Sequence, residues 1–383
     1  MSSVVAQIAK VAATLDARFV GRAEAIRALL VCVVAGEHAL LVGPPGTAKS
    51  GLVRALAELV SARTFEDLLT RFTEPNELFG PVDIQAFRDG RYERRTEGML
   101  PEAEIVFLDE VFKANSAILN SLLTLLNERA ITVGGRVLRC PLVSVIAASN
   151  EVPTDASLDA VFDRFLLRVR TDELESFQFD ALVARGLEAE GAQAPLRPVV
   201  DLASLARFRR DFSAIARPSA ECLSTYKSLV FQLRAEGVPL SDRRVVKLLK
   251  LLVASAWIDG RPGPDDGDLW VLRHVWATDE QRSVVLGVVD PTLEAFYAEA
   301  PERRRGGVPA AGLDALAAEI ERARRVLTEG STPTDVQLFA ELRALGEVRA
   351  SLAGHADPRA RELERRVTAL LDATFRTGRF ATL

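Results

Sequence analysis

The chain has 383 residues, 48% of them apolar, and a formal net charge of −5. That length allows two or three domains with cores of their own, and the acidic balance leaves no overall electrostatic footprint for nucleic acid. Cys32, Cys140 and Cys222 lie far apart with no CxxC spacing, which argues against a disulfide framework or a cysteine zinc site and fits reduced thiols in the cytoplasm.

The first residues, MSSVVAQIAK, carry no secretory pattern. The richest apolar stretch, Ala28 to Val42, is interrupted by Glu37 and His38 and is too short to span a bilayer, so no membrane span is expected. Short apolar runs then alternate with helical patterns, as in a parallel α/β sheet. The predicted strands are Ala39–Val42, Phe65–Leu69, Ile105–Leu108, Val143–Ala148 and Phe165–Val169. Between them Ser116–Glu128 repeats apolar residues at three- and four-residue intervals, with Asn115 as its N-cap. Two turn dipeptides, Asp89-Gly90 within Ala86–Arg94 and Gly134-Gly135 within Ile131–Leu138, predict β-hairpins. Beyond about residue 175 helical patterns take over: Leu202–Phe208, Pro218–Ala235 and Arg243–Trp257, then, after the basic run Arg303–Arg305, Leu313–Leu327, Asp335–Leu352 and Pro358–Leu371. The expected division is 1–175, an α/β nucleotide-binding core; 176–282, an all-α lid; and 283–383, a C-terminal helical domain.

The strongest chemical signal follows the first strand. Gly43-Pro44-Pro45-Gly46-Thr47-Ala48-Lys49-Ser50 leads into a helical pattern from Gly51, the strand–loop–helix setting of a phosphate-binding loop. Glycine lets the backbone approach phosphate, the helix N-terminus offers free N–H groups, and Lys49 supplies positive charge for the β- and γ-phosphates. Ser50 would place its hydroxyl on Mg²⁺. Ala48 stands where glycine is usual, and alanine costs little there if the backbone stays right-handed. Farther on, Ile105-Val106-Phe107-Leu108 delivers Asp109 and Glu110 to the C-terminal edge of a parallel sheet, where ligands bind. Asp109 would hold Mg²⁺, and Glu110 would orient or deprotonate an attacking water. His38, beside the loop strand, reads as structural rather than catalytic.

Together the loop, the Asp109-Glu110 pair, the strand ending in Ser149-Asn150 and the helical second half resemble the AAA+ ATPases. The segments GPPGTAKS, LLNERAITVGG, ASNE, LDAVFDRF and SDRR are similar to those of the MoxR family, and within it to RavA-like proteins. The resemblance is good over roughly residues 10–280. It implies an AAA+ P-loop core with a parallel sheet, an all-α lid and a C-terminal helical domain, with ATP and Mg²⁺ as cofactors. It makes Asn150 the sensor 1 amide, Arg164 an arginine finger reaching a neighbouring subunit's nucleotide, and Arg243 the sensor 2 arginine contacting the γ-phosphate in cis, with Arg244 as the alternative. Val20 and Gly21, in Phe19-Val20-Gly21-Arg22, match the segment whose backbone recognises adenine.

The function implied is an ATPase ring, a hexamer, that remodels or activates protein clients with a von Willebrand factor A-domain partner. A trans-acting arginine can contribute roughly 10³–10⁵ in rate in other NTPases. The rival readings are a metal-chelatase motor subunit, which shares the hairpin insertions, and a nucleic-acid-dependent motor, against which the net acidity weighs.

Overall fold

The computed structural model describes residues 2–155, 158–174, 178–190, 195–212, 217–300, 303, 310–328, 334–352 and 358–377. Two compact units emerge: residues 1–173 with 194–291, and residues 174–193 with 292–383. Most of the residues expected as core and lid thus share one unit, while residues 174–193 fall in the other; the expected boundary at 175/176 lies outside the described residues, as do Arg304 and Arg305 of the basic run.

Helices α1 (Ser2–Arg18) and α2 (Ala23–Ala35) precede strand β1 (Ala39–Val42). Every residue of α2 from Ala28 to Ala35 is buried, as expected of a helix that is apolar all round. After β1 come α3 (Lys49–Leu59), β2 (Thr64–Leu68), α4 (Pro75–Phe79), α5 (Ile84–Arg88) and β3 (Ile105–Asp109). Then follow α6 (Ser116–Glu128), β4 (Ala130–Val133), β5 (Arg136–Arg139), β6 (Ser144–Ser149), α7 (Asp159–Phe162) and β7 (Leu167–Arg170). Five strands form one parallel sheet in the order β2-β3-β6-β1-β7. The inner strands β1 and β6 are buried at every position, while the edge strand β2 alternates and carries charge. That contrast follows from burial on both faces at the centre of a parallel sheet.

One predicted hairpin forms and the other does not. β4 and β5 pair antiparallel across Gly134 (φ 54°) and Gly135 (φ 77°), both in the left-handed region a two-residue turn of type I′ requires. Ala86–Arg88, expected as a strand, is instead the end of α5. Asp83 caps that helix by accepting from the N–H groups of Gln85 (2.8 Å) and Ala86 (3.0 Å), which commits the backbone to a helical turn before Gly90 reverses it. The segment closes at its base through a single bridge between Val82 and Arg94.

In the same unit lie α9 (Leu202–Arg210), α10 (Ala220–Ala235) and α11 (Asp242–Ile258), reached in chain order after α8 (Phe179–Glu190), which belongs to the other unit. Ser219 and Ser241 cap α10 and α11 with their hydroxyls. α11 is tied to α2 by the Arg27–Asp259 ion pair (2.9 Å). Helix α12 (Asp279–Glu299) contains Pro291, and the unit boundary falls at that residue. The second unit is centred on α13 (Ala310–Thr328), α14 (Asp335–Leu352) and α15 (Pro358–Thr377). Leu316, Ile320 and Ala323 of α13, Leu345, Val348 and Leu352 of α14, and Leu363, Val367 and Leu371 of α15 form its core. Their three- and four-residue spacing is what a helical bundle needs.

Candidate functional site

Strand order decides which chain segments meet. β6 lies between β3 and β1, so the residues after those three strands emerge side by side at one edge of the sheet. These are the Gly43–Ser50 loop, Asp109-Glu110 and Asn150. Val42 is in register with Ser149, and Gly43 N–H donates to Ser149 O at 3.1 Å. A crevice outside the carboxyl ends of parallel strands, beside a reversal of strand order, is where such folds bind ligands.

The loop is held from several sides. A Cβ on Gly43 would lie 2.3 Å from Thr171 O, so only glycine lets the end of β7 pass this close. Thr47, buried, donates its hydroxyl to Pro44 O at 3.0 Å, and Arg22 Nε donates to Thr47 O at 3.2 Å. The Arg22 bond brings the segment containing Val20 and Gly21 against the loop; Gly21 has φ 68°. Phe19 faces Gly51 at the start of α3, 3.6 Å from where a Cβ would stand. Pro45 and Gly46 are exposed, and Gly46 has φ 83°.

Ala48 does not meet the condition under which alanine is cheap here. Its φ of 62° and ψ of 26° are left-handed, not right-handed. The loop geometry needs this turn to deliver Lys49 into the first turn of α3, and an L-residue with a Cβ pays about 1–2 kcal/mol there. Lys49 Nζ donates to Gly43 O (2.6 Å) and Pro44 O (2.8 Å), so the ammonium folds over the cradle of its own loop. Burial lowers its pKa, opposed by the nearby charges of Asp109 and Glu110. Ser50 is half-buried beside it.

Glu110 is also left-handed, at φ 52° and ψ 42°, and its N–H donates to Asp109 Oδ1 at 3.0 Å. The Asn150 amide donates to Glu110 Oε1, and Lys113 Nζ pairs with the same oxygen at 3.1 Å. Glu110 is thus gripped by two donors from different elements, in a backbone conformation that a non-glycine residue adopts only at some cost. Lys113, three residues after Glu110, was not among the sequence candidates; nor were Arg22 and Thr171, whose roles depend on tertiary approach.

Arg164 and Arg243 lie elsewhere. Leu166 N–H donates to His38 O at 3.0 Å, which places residues 164–166 at the edge where β1 begins. At about 3.3 Å per residue, β1 separates that edge from the loop by about 15 Å. Arg164 pairs with Asp163 at 3.3 Å, and Arg244, almost fully buried, reaches the same carboxylate at 3.5 Å. Arg244 also donates to Pro239 O (3.1 Å) and Leu166 O (3.5 Å), and it therefore fastens the start of α11 to the start of β7. Arg243 beside it is exposed. The expected contact of Arg243 with the γ-phosphate in cis does not fit this placement, because α11 starts at the edge of the sheet opposite Lys49. Arg168, buried in β7, donates to Val275 O (3.0 Å), Trp276 O (2.6 Å) and Phe162 O (3.2 Å) and packs over the Phe162 ring. Burial, with Arg244 beside it, lowers its pKa well below the usual value.

Elsewhere the expected structural roles hold. The three cysteines are free and buried. His38 is buried, with Nε2 bonded to Leu126 O (3.0 Å) and Nδ1 accepting from Val145 N–H (2.9 Å). Among the described residues no three His, Cys, Asp or Glu side chains converge as a metal centre, and no helix is long and apolar enough to cross a membrane.

A phosphate loop, an acidic pair and a polar strand tip on adjoining strands of such a sheet, with a helical region after it, define an AAA+ type of nucleotide-binding protein. Comparisons agree. A family model described as the MoxR domain of MoxR–vWA–beta-propeller ternary systems matches residues 6–210, and a model of an AAA lid domain matches residues 223–289. An uncharacterized protein of Methanocaldococcus jannaschii is 38% identical over 268 residues, 70% of each chain. A protein of Paracoccus denitrificans named MoxR is 27% identical over 277 residues, 65% of this chain and 80% of that one. A solved structure from Cytophaga hutchinsonii, described as a candidate ATPase, superposes with a TM-score of 0.60 at 19% identity, over 75% of this chain and 94% of that one. The chain belongs to the MoxR family of AAA+ ATPases.

Proposed function

We propose that this protein binds ATP with Mg²⁺ and hydrolyses it at a site completed between subunits of a ring, a hexamer, that remodels protein clients. The observation that carries the reading is the split of the site residues between two sheet edges. Lys49, Asp109, Glu110 and Asn150 meet at one edge, and Arg164 and Arg243 sit at the other. An arginine so placed serves a phosphate of the neighbouring copy, so Arg164 and Arg243 both act in trans.

Within one site, the backbone N–H groups of Gly43–Ser50 and the start of α3 cradle the phosphates, and Lys49 leaves its two carbonyls to neutralise them. Val20 and Gly21 flank the adenine. Ser50 and Asp109 offer the hard oxygen donors that magnesium prefers and would hold the ion. Magnesium, when bound, neutralises the developing phosphate charge. Glu110 takes the proton from the attacking water, and Asn150 fixes the orientation of its carboxylate. The left-handed backbone at Glu110 aims that carboxylate into the crevice.

The lid lies within residues 176–282, with α11 carrying Arg243, and the C-terminal helical domain lies within residues 283–383. Nucleotide turnover moves the first against the core. A von Willebrand factor A-domain protein is the expected partner, in keeping with the ternary systems the matching family model describes. Free buried cysteines suit work in the cytoplasm.

The test is subunit mixing. Lys49→Ala and Arg164→Ala proteins, each inactive alone, should regain turnover when combined, because mixed rings contain sites with an intact loop from one subunit and an intact arginine from the next. Activity that never returns on mixing, together with wild-type specific activity that stays flat with concentration, would remove the shared-site reading. For the partner, a purified A-domain protein from the same host should bind the Glu110→Gln ring in ATP; no binding would sink that choice.

A further inference from the structure

A second cationic site lies away from the nucleotide site, at the sheet edge where β1 begins. Arg129, Arg209 and Lys250 line a cavity of about 380 Å³, floored by Cys140 and Leu142. That volume is on the order of a dozen waters. The three cations come from separate elements: the end of α6, α9 and α11.

Their partners do not balance them. Among the described residues the carboxylate paired with one of these cations is Glu37, and both its oxygens are already taken, by Lys247 at 2.6 Å and Lys250 at 3.2 Å. Arg129 donates to Leu142 O (3.1 Å) and to Gly36 O, and Arg209 donates to Val33 O (3.1 Å) and Val34 O (3.3 Å). Among the described residues both guanidinium groups therefore meet only carbonyls, several of them at the C-terminal end of α2. A helix C-terminus carries about half a negative charge, which leaves the two arginines with an excess of positive charge. Each also keeps donors in hand: Nη1 of Arg129, and Nε and Nη2 of Arg209, have no protein acceptor among the described residues. Burial, with Arg129 and Arg210 nearby, lowers the pKa of Arg209. Gly36, at φ 70°, makes room for this arrangement: a Cβ there would lie 2.7 Å from Arg209 Cδ.

We propose that this cavity binds a small phosphate-class anion, held by Arg129, Arg209 and Lys250 and linking the base of the β4–β5 hairpin to α9 and α11. Two guanidinium forks and an ammonium present more donors than one carboxylate can accept, whereas a tetrahedral dianion accepts from all three. The free ion and the terminal phosphate of a nucleotide share this chemistry.

The experiment uses the full chain carrying Lys49→Ala, which weakens the phosphate loop, and titrates inorganic phosphate and ADP by calorimetry at low salt. Phosphate is expected to bind at one site per chain, and Arg209→Gln should weaken it at least tenfold. Cys140→Asp places a carboxylate inside the cavity; it should abolish phosphate binding and raise the melting temperature in phosphate-free buffer. This second variant keeps the test decisive if Arg209→Gln fails to fold. Competition by ADP assigns the terminal phosphate of a larger molecule, and its absence assigns the free ion; either supports the site. No phosphate binding in the Lys49→Ala protein, or binding untouched by Cys140→Asp, overturns it.

Discussion

Asn150, at the tip of β6, donates its amide to Glu110 Oε1, at the tip of the neighbouring β3. Because β6 separates β3 from β1, Asn150 stands between the acidic pair and the phosphate loop, touching the group proposed as base. Asn150→Ala should therefore lower ATP turnover by about 10²-fold, at the low end of the range for general-base catalysis, while the dissociation constant for ATP stays within about twofold. Steady-state turnover and a fluorescent-nucleotide titration would separate the two effects. Equal loss in binding and turnover would mean that the amide serves the nucleotide rather than Glu110.

Gly43→Ala tests the packing under the loop. The new methyl would sit 2.3 Å from Thr171 O and 2.7 Å from its hydroxyl oxygen, and backbone cannot step aside as a side chain can. Overpacking of this kind costs about 1–3 kcal/mol. Chemical denaturation should show that loss, and nucleotide affinity should fall at least tenfold because the strand–loop junction moves. A variant with wild-type affinity would show that β7 yields easily at Thr171.

Ala48→Gly should act in the opposite direction. Alanine in the left-handed region costs about 1–2 kcal/mol, and glycine returns about 0.4–1 kcal/mol of that through a freer unfolded chain. A net gain between about 0 and about 1.6 kcal/mol is expected by these two principles, read as a higher denaturation midpoint with unchanged slope. A lower midpoint would mean that the alanine methyl makes contacts worth more than the strain.

Much of the site was legible because its signals are local. A glycine-rich loop between a strand and a helix, and an acidic pair closing an apolar strand, need only chain order to be recognised. The same holds for the Gly134-Gly135 hairpin, where two glycines encode the turn. The readings that failed depended on something else. Asp89-Gly90 does mark a reversal, but Asp83, a good N-cap just upstream, makes its first arm a helix. The left-handed Ala48 runs against a residue preference that tertiary fit overrides. The edge carrying Arg243 follows from Arg244, whose burial against Pro239, Leu166 and Asp163 joins segments far apart in sequence. No spacing rule could have reported those contacts.

The fold's acid sensitivity should come largely from His38. Burial, with Arg129 nearby, pushes its pKa down from 6.5 to about 4, and its ring is committed as a neutral donor–acceptor between Leu126 O and Val145 N–H. A base whose folded pKa is depressed binds fewer protons folded than unfolded in the interval between the two values. Stability therefore rises with pH from about 4 to 6.5, is fully present above 6.5, and is lost as pH falls through that window. The size is about 3 kcal/mol, at 1.36 kcal/mol per pKa unit. Glu37 contributes separately. Burial would raise its pKa, but Lys247 and Lys250 outweigh that and hold it below 4.5, so its loss comes at more acid pH. Denaturation measured from pH 7 to 4.5 should show a steep decline for the wild type. His38→Gln, whose amide can donate and accept without titrating, should start less stable and decline much less. Parallel curves for the two proteins would assign the acid sensitivity to other groups.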